Sequence, residues 1–221
     1  IAADKVTVTP IEGGIRVEAA GVSVHGSTPE LGENAVGRLA QALAQLPFEG
    51  DAADCIAFLA DRIGMECHGE SLGLAMRDDL GPLTFNLGVM KLKDDALSLS
   101  FTIRYPVSKT YDDVFPRVER AFTLGGFTLT DQWSKPSLYV SPESELIRKL
   151  SKVYEEQTGS AAALKTLGGG TYAKSMPNLV AFGPIFPGDV VREHQANEYV
   201  PVEWVLRNAE IIGAAMYELA Q

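Results

Sequence analysis

Thr84–Tyr105 reads TFNLGVMKLKDDALSLSFTIRY, and on both sides of Lys93, Asp94 and Asp95 apolar and polar residues alternate. Alternation at period two puts successive side chains on opposite faces of a strand, so Thr84–Leu92 and Ala96–Tyr105 read as a hairpin. Working outward, a helix follows Thr110, with Val114, Val118, Ala121 and Phe122 on its inner side, and Phe127–Trp133 reads as a closing strand. Upstream, Lys5–Thr9 alternates until Pro10, and Ile15–Ala19 is strand-like after the Gly13-Gly14 turn. From Asn34, a plausible N-cap, Val36, Leu39, Ala40, Leu43 and Leu46 recur at helical spacing until Pro47. Asp54–Ile63 gives a second helix with Ile56, Leu59 and Ile63 on one face, ended by Gly64. Met65–Pro82 has weak periodicity and reads as helix ends and loop. Counted from Ile15, the order is β-α-β-β-α-β with an inserted helix. That is the ferredoxin-like arrangement, an antiparallel sheet with helices on one face.

The pattern changes after Pro136. Ser144–Gln157 is helical, with Leu146, Leu150 and Val153 on one face and Gly159 as its stop. Ala161–Thr166 reads as a short strand running into Gly168-Gly169-Gly170, and Thr171 is placed to start a helix. Leu179–Phe182 is a continuous apolar run, as in a strand covered on both faces. Val200–Ala220 closes the chain as a long helix with Pro201 near its start. The expected class is therefore α/β, with a ferredoxin-like domain at 1–136 and the final segment of an α/β domain at 137–221.

Composition narrows the function. The 221 residues carry a net charge of −10, which argues against nucleic acid, because phosphate binding needs a concentrated basic surface. Two cysteines, Cys55 and Cys67, do not make a disulfide scaffold and point to a reducing cytoplasm. No apolar run approaches the roughly 20 residues of a membrane helix.

The chemistry-bearing residues are scattered. A glycine triplet between a strand and a helix offers bare N–H groups to an anion, but an ordinary tight turn accounts for it equally well. It matches neither the G-x-x-x-x-G-K nor the G-x-G-x-x-G pattern. His194, near Glu193 and Glu198, reads as a loop histidine or as a metal ligand oriented by carboxylates. His25, in the polar loop Gly21–Pro29, would polarise a carbonyl or simply hydrogen-bond its own loop. Arg104, at a strand end before Pro106, is a surface arginine or a fork for a carboxylate. Two patterns read as decoys. Gly69-Glu-Ser-Leu-Gly73, beside His68, matches G-x-S-x-G but follows a helix rather than the strand such an elbow needs. Glu155-Glu156 lies mid-helix, on a solvated face.

Taken together, VHGSTPELGENA (Val24–Ala35), TIRYP (Thr102–Pro106), GGGTYA (Gly168–Ala173) and Ala181-Phe-Gly-Pro, with HQANEY (His194–Tyr199) after it, resemble the carnosinase and aminoacylase superfamily of dizinc metallopeptidases. The resemblance is closest to its bacterial Xaa-His dipeptidases and runs along most of the chain in matching order. It implies a cofactor of two zinc ions per intact site, with His194 as one ligand. His25 resembles the lid histidine that polarises the scissile carbonyl. Arg104, with the backbone N–H groups of Gly169, Gly170 and Thr171, resembles the clamp on a dipeptide's free C-terminal carboxylate.

One departure matters. The family's remaining ligands include a His-x-Asp pair and a Glu-Glu pair from an N-terminal half. Here His25, His68 and His194 are followed two positions on by Ser27, Glu70 and Ala196, and Glu155-Glu156 comes too late in the order. The expectation is a C-terminal portion, a lid plus the end of a catalytic domain, inactive without its N-terminal catalytic partner segment. A related amidohydrolase or deacylase, a lid-like interaction module and the serine hydrolase of Gly69–Gly73 stand as alternatives. The resemblance leaves the oligomeric state open.

Overall fold

The structure, a computed structural model, describes residues 3–183, 185–190 and 197–221. The chain divides into two compact units, Ile1–Ser137 and Leu138–Gln221. No described helix is long and apolar enough to cross a membrane.

In the first unit, β1 (Val6–Ile11) and β2 (Gly14–Ala19) pair antiparallel, from Val6 opposite Ala19 to Ile11 opposite Gly14. β1 continues through Pro10, where the sequence reading ends it. A two-stranded ribbon consists of edges, and an edge tolerates a residue that cannot donate. α1 (Ala35–Leu43) is capped by Asn34. α2 (Gly50–Phe58) begins ahead of the expected Asp54, because its first turn holds no large apolar side chain for periodicity to detect, and it widens into a π-helical turn at Leu59–Ile63. That turn ends at Gly64, whose φ is +47° and whose N–H bonds to Leu59 O at 2.8 Å. α1 lies backbone to backbone against it: a Cβ on Gly37 would overlap the Gly64 carbonyl oxygen.

The loop expected at Met65–Pro82 contains a minimal hairpin, β3 (Arg77–Asp78) with β4 (Gly81–Pro82). The hairpin read from Thr84–Tyr105 is present as β5 (Thr84–Lys93) and β6 (Ala96–Arg104), from Thr84 opposite Arg104 to Lys93 opposite Ala96. Asp94 and Asp95 both take positive φ, 50° and 59°, the requirement of a type I′ turn. The register slips between Leu87 and Val89, so a bulge forms around Gly88. Phe85 and Leu87 face the core before the bulge and Met90 after it, leaving Val89 43% exposed.

α3 (Tyr111–Leu124) starts in a capping box between Thr110 and Asp113. Its Val114, Val118 and Phe122 pack on Phe85, Leu87, Leu74 and Leu83. The Phe122 ring stacks on Phe101 at 4.6 Å between centroids and meets Phe58 edge-on at 5.6 Å. Such aromatic pairs add about 0.5–1.5 kcal/mol each to the burial itself.

The class is α/β, and the order from β2 to α3 is the expected one, but the sheet is not continuous. Among the described residues the strands form three separate pairs, and Phe127–Trp133 joins none. Phe127 donates its N–H to Phe122 O at 2.9 Å, one residue after Gly126 at φ +81°. Its amide thus closes the end of α3 instead of opening a ladder. Phe127 and Leu129 are half-buried, while Trp133 on the same alternation is 77% exposed.

In the second unit, α4 (Glu145–Thr158) runs from the Ser144 cap to Gly159, which is left-handed at φ +69°. α5 (Val202–Leu219) begins after Pro201. Leu150 and Val153 of α4 bury against Ile211 and Ala215 of α5, and Val180, Phe182 and Phe186 pack around them. The strands expected at Ala161–Thr166 and Leu179–Phe182 do not form, since among the described residues this unit holds no strand to pair with. The apolar run at Leu179–Phe182 serves helix packing. α5 leaves Val202, Leu206, Met216 and Tyr217 more than half exposed.

Candidate functional site

His25 sits on a loop built to hold its shape. Val22 and Glu33 exchange backbone hydrogen bonds of 3.0 and 3.1 Å and close the loop at its base. Glu33 then binds Lys5 Nζ and Arg38 Nη2, each at 2.6 Å, and these bonds, Lys5 foremost, draw its carboxyl below the ordinary range. Within the loop, Thr28 donates its N–H (3.0 Å) and hydroxyl (3.3 Å) to His25 O. A Cβ on Gly32 would strike Val24 and the Val22 carbonyl, so the loop neck admits only glycine. The His25 ring is exposed, and Ser27 Oγ lies 2.6 Å from its Nδ1.

Asn34 fastens this loop to the hairpin. Its Oδ1 accepts from Val36 N (2.9 Å) and Gly37 N (3.2 Å), while Nδ2 donates to Leu87 O at 2.9 Å. A methyl on Gly26 would stand 3.5 Å from Asn86 Nδ2. Asn86 pairs with Thr102, and two positions along Thr84 pairs with Arg104. All four side chains occupy the hairpin face opposite Phe85 and Leu87. The fold thus brings the His25 loop and Arg104 to one face of one hairpin, although 79 positions separate them (104 − 25).

Arg104 is half-buried, and desolvation pushes its guanidinium below arginine's ordinary value. It remains a cation, and a partly desolvated cation attracts an anion more strongly than a solvated one.

Gly169, Gly170 and Thr171 belong to the second unit. Neither glycine has a positive φ, and a Cβ on either would meet nothing within 4 Å. The described fold therefore does not demand glycine at these positions. Thr171 Oγ1 accepts from Ala173 N at 3.2 Å and caps a 3-10 helix, Tyr172–Ser175. The helix expected to start at Thr171 is this single 3-10 turn, because the chain departs into extended backbone at Met176. A single turn offers N–H donors with little macrodipole behind them. Tyr172 beside them is 93% exposed.

His194, the expected zinc ligand, lies outside the described residues. Among the described residues no three His, Cys, Asp or Glu side chains converge as a metal site. Taken with the missing His-x-Asp pair, the donors described here do not fit a dizinc centre.

The serine-hydrolase alternative is overturned. Ser71 sits in a turn with no strand leading in and no helix leading out. Its N–H and hydroxyl are both held by the Glu66 carboxylate. His68 Nδ1 is engaged by Leu83 O at 2.8 Å. Glu155 accepts from Ala162 N at 3.1 Å and, with Glu156, is exposed on α4. Burial, with neighbouring carboxylates, pushes the Cys55 and Cys67 thiols up, so neither offers a ready thiolate. Two open cavities, about 430 and 300 Å³, are lined by Tyr105, Tyr111 and Trp133 and by Arg77, Lys109 and Arg117 respectively. Neither includes His25 or Arg104.

Sequence reasoning missed Ser27 as the neighbour of His25 and the second role of Asn34. The string H-G-S at 25–27 was the available signal for the first. No signal existed for the second, since the acceptor lies 53 positions away.

Residues 13–122 match the peptidase dimerisation domain of the M20 family. A Bacillus subtilis protein named "Putative dipeptidase YtjP" is 36% identical over 206 residues, covering 91% of this chain and 43% of that protein. A Staphylococcus epidermidis protein named "Putative dipeptidase" is 33% identical over 202 residues, 90% of this chain and 43% of its own length. A similarly named Staphylococcus saprophyticus protein is 30% identical over 213 residues, at 95% and 45%. The chain spans less than half the length of these relatives.

Proposed function

Because this chain belongs to the M20 peptidase family, we propose that it supplies the lid and the closing segment of a dipeptidase acting on substrates with a free C-terminal carboxylate. One observation carries the reading: the anchored His25 loop and the half-buried Arg104 share a hairpin face. An imidazole held there is suited to donate a hydrogen bond to the scissile carbonyl oxygen and to stabilise the oxyanion that develops on it. Arg104 is suited to grip the carboxylate with two parallel N–H bonds. A carbonyl donor and a carboxylate fork at set positions measure one residue, which favours dipeptides over longer chains.

Zinc would activate the attacking water in the intact enzyme. Its ligands other than His194 would come from outside this chain, and the 221 residues alone are inactive on this reading. The apolar face left open on α5 supports the same view, as a surface shaped to pack against more of a catalytic domain.

The test uses the full-length enzyme. His25→Ala lowers kcat by about 100-fold or more with little change in KM, the mark of an interaction made in the transition state. Arg104→Ala weakens dipeptides with a free C-terminus and leaves C-terminally amidated ones nearly unaffected. Equal losses on both substrate types would reject the clamp, and an unchanged kcat in His25→Ala would reject the carbonyl role.

A further inference from the structure

A backbone amide can only donate, and the Ser27 N–H reaches His25 Nδ1 at 3.3 Å. Nδ1 therefore presents its lone pair, and the Ser27 hydroxyl, 2.6 Å away, acts as a second donor to it. A neutral imidazole that accepts at Nδ1 carries its proton on Nε2. We propose that Ser27 is the positioning residue for His25, holding the ring as the Nε2–H tautomer so that it meets the substrate as a donor and not as a base.

This deepens the reading of His25 as the carbonyl-polarising group and rests on it. Only an N–H can stabilise charge growing on a carbonyl oxygen, since a ring lone pair would repel it. The surroundings make the selection durable. Ser27 is half-buried while His25 is exposed, so water competes less for the Nδ1 side of the ring. The two bonds from Thr28 to His25 O and the bridge from Val22 to Glu33 hold the backbone beneath the ring. The Ser27 N–H marks which tautomer the ring adopts, while the hydroxyl, the closer of the two at 2.6 Å, supplies most of the selection and fixes the ring's rotation.

The direct test is long-range proton–nitrogen correlation NMR on the ¹⁵N-labelled chain, above the pH where imidazoles titrate, with His25 assigned by its loss in His25→Gln. The wild type should show Nδ1 unprotonated and Nε2 protonated. Ser27→Ala should raise the Nδ1-protonated share several-fold, and Ser27→Thr, which keeps a hydroxyl, should restore the wild-type pattern. In the full-length enzyme Ser27→Ala should lower kcat about 5- to 10-fold, the scale of one hydrogen bond, with KM within about two-fold. A wild-type ring protonated on Nδ1 would overturn the proposal without any variant, so a misfolded Ser27→Ala cannot shelter it. A Ser27→Ala spectrum identical to wild type would overturn it as well. The two readings fail separately. Nε2–H in the wild type with full activity in His25→Ala rejects the catalytic role alone, and Nδ1–H with activity lost in His25→Ala rejects the role of Ser27 alone.

Discussion

Replacing Asn34 separates a helix cap from a tertiary tether. Its side chain accepts from Val36 N and Gly37 N and donates to Leu87 O. Asn34→Ala removes all three bonds. Loss of the cap costs about 1 kcal/mol, and a part-buried Leu87 carbonyl without its donor costs about 1–2 more, for a total of roughly 2–3 kcal/mol. Asn34→Asp keeps a cap of equal quality at the positive end of α1 but sets a carboxylate oxygen against Leu87 O. Only the tether is lost, so the expected cost is about 1–2 kcal/mol. Urea unfolding gives the total, and hydrogen exchange at the α3 amides confines the measurement to the first unit. The expected order of stability is wild type, then Asn34→Asp, then Asn34→Ala. An Asn34→Asp protein as stable as wild type would show that the Leu87 bond contributes nothing. The anchoring of the His25 loop through Asn34 would then be wrong.

Gly37→Ala and Gly213→Ala make the same change in two helices and should differ in sign. At Gly37 the new methyl overlaps the Gly64 carbonyl, and a net loss of about 1–3 kcal/mol follows despite better helix propensity; at Gly213 it meets nothing within 4 Å and should stabilise by up to about 1 kcal/mol, both read from urea midpoints. Acid should loosen the first unit. Glu33 is held below the ordinary carboxylate range chiefly by Lys5, Asp78 by the Ser108 N–H and Asp113 by Thr110. Folded values lower than unfolded ones give stability that is present above the unfolded pKa, about 4, and lost as the pH falls through the folded values. A midpoint that rises on acidification below pH ~4 would contradict this. Finally, a serine-directed fluorophosphonate should leave Ser71 unlabelled, and Ser71→Ala should leave full-length activity intact; labelling at Ser71 would revive the serine reading.

The elements that the sequence determined by itself are those whose signals are local. β5 and β6 alternate at period two around an Asp94-Asp95 turn, and α1, α3 and α4 carry their caps at Asn34, Thr110 and Ser144 within a turn of their apolar stripes. Side-chain identity and spacing suffice for these, because their hydrogen bonds close within the element or its hairpin. The tertiary structure decided everything that depends on a distant partner. Phe127–Trp133 has a strand's alternation but gives its first amide to the α3 terminus. Ala161–Thr166 and Leu179–Phe182 read as strands, and a strand cannot exist without a neighbour to complete its ladder. The bulge around Gly88 reverses which residues of β5 face inward, and no local pattern announces it. The candidate site follows the same rule. Taken singly, His25 and Arg104 each stay open in sequence between a functional and an ordinary role, and only the family resemblance joins them; the shared hairpin face that makes them one site exists only after Asn34 reaches Leu87 across the fold.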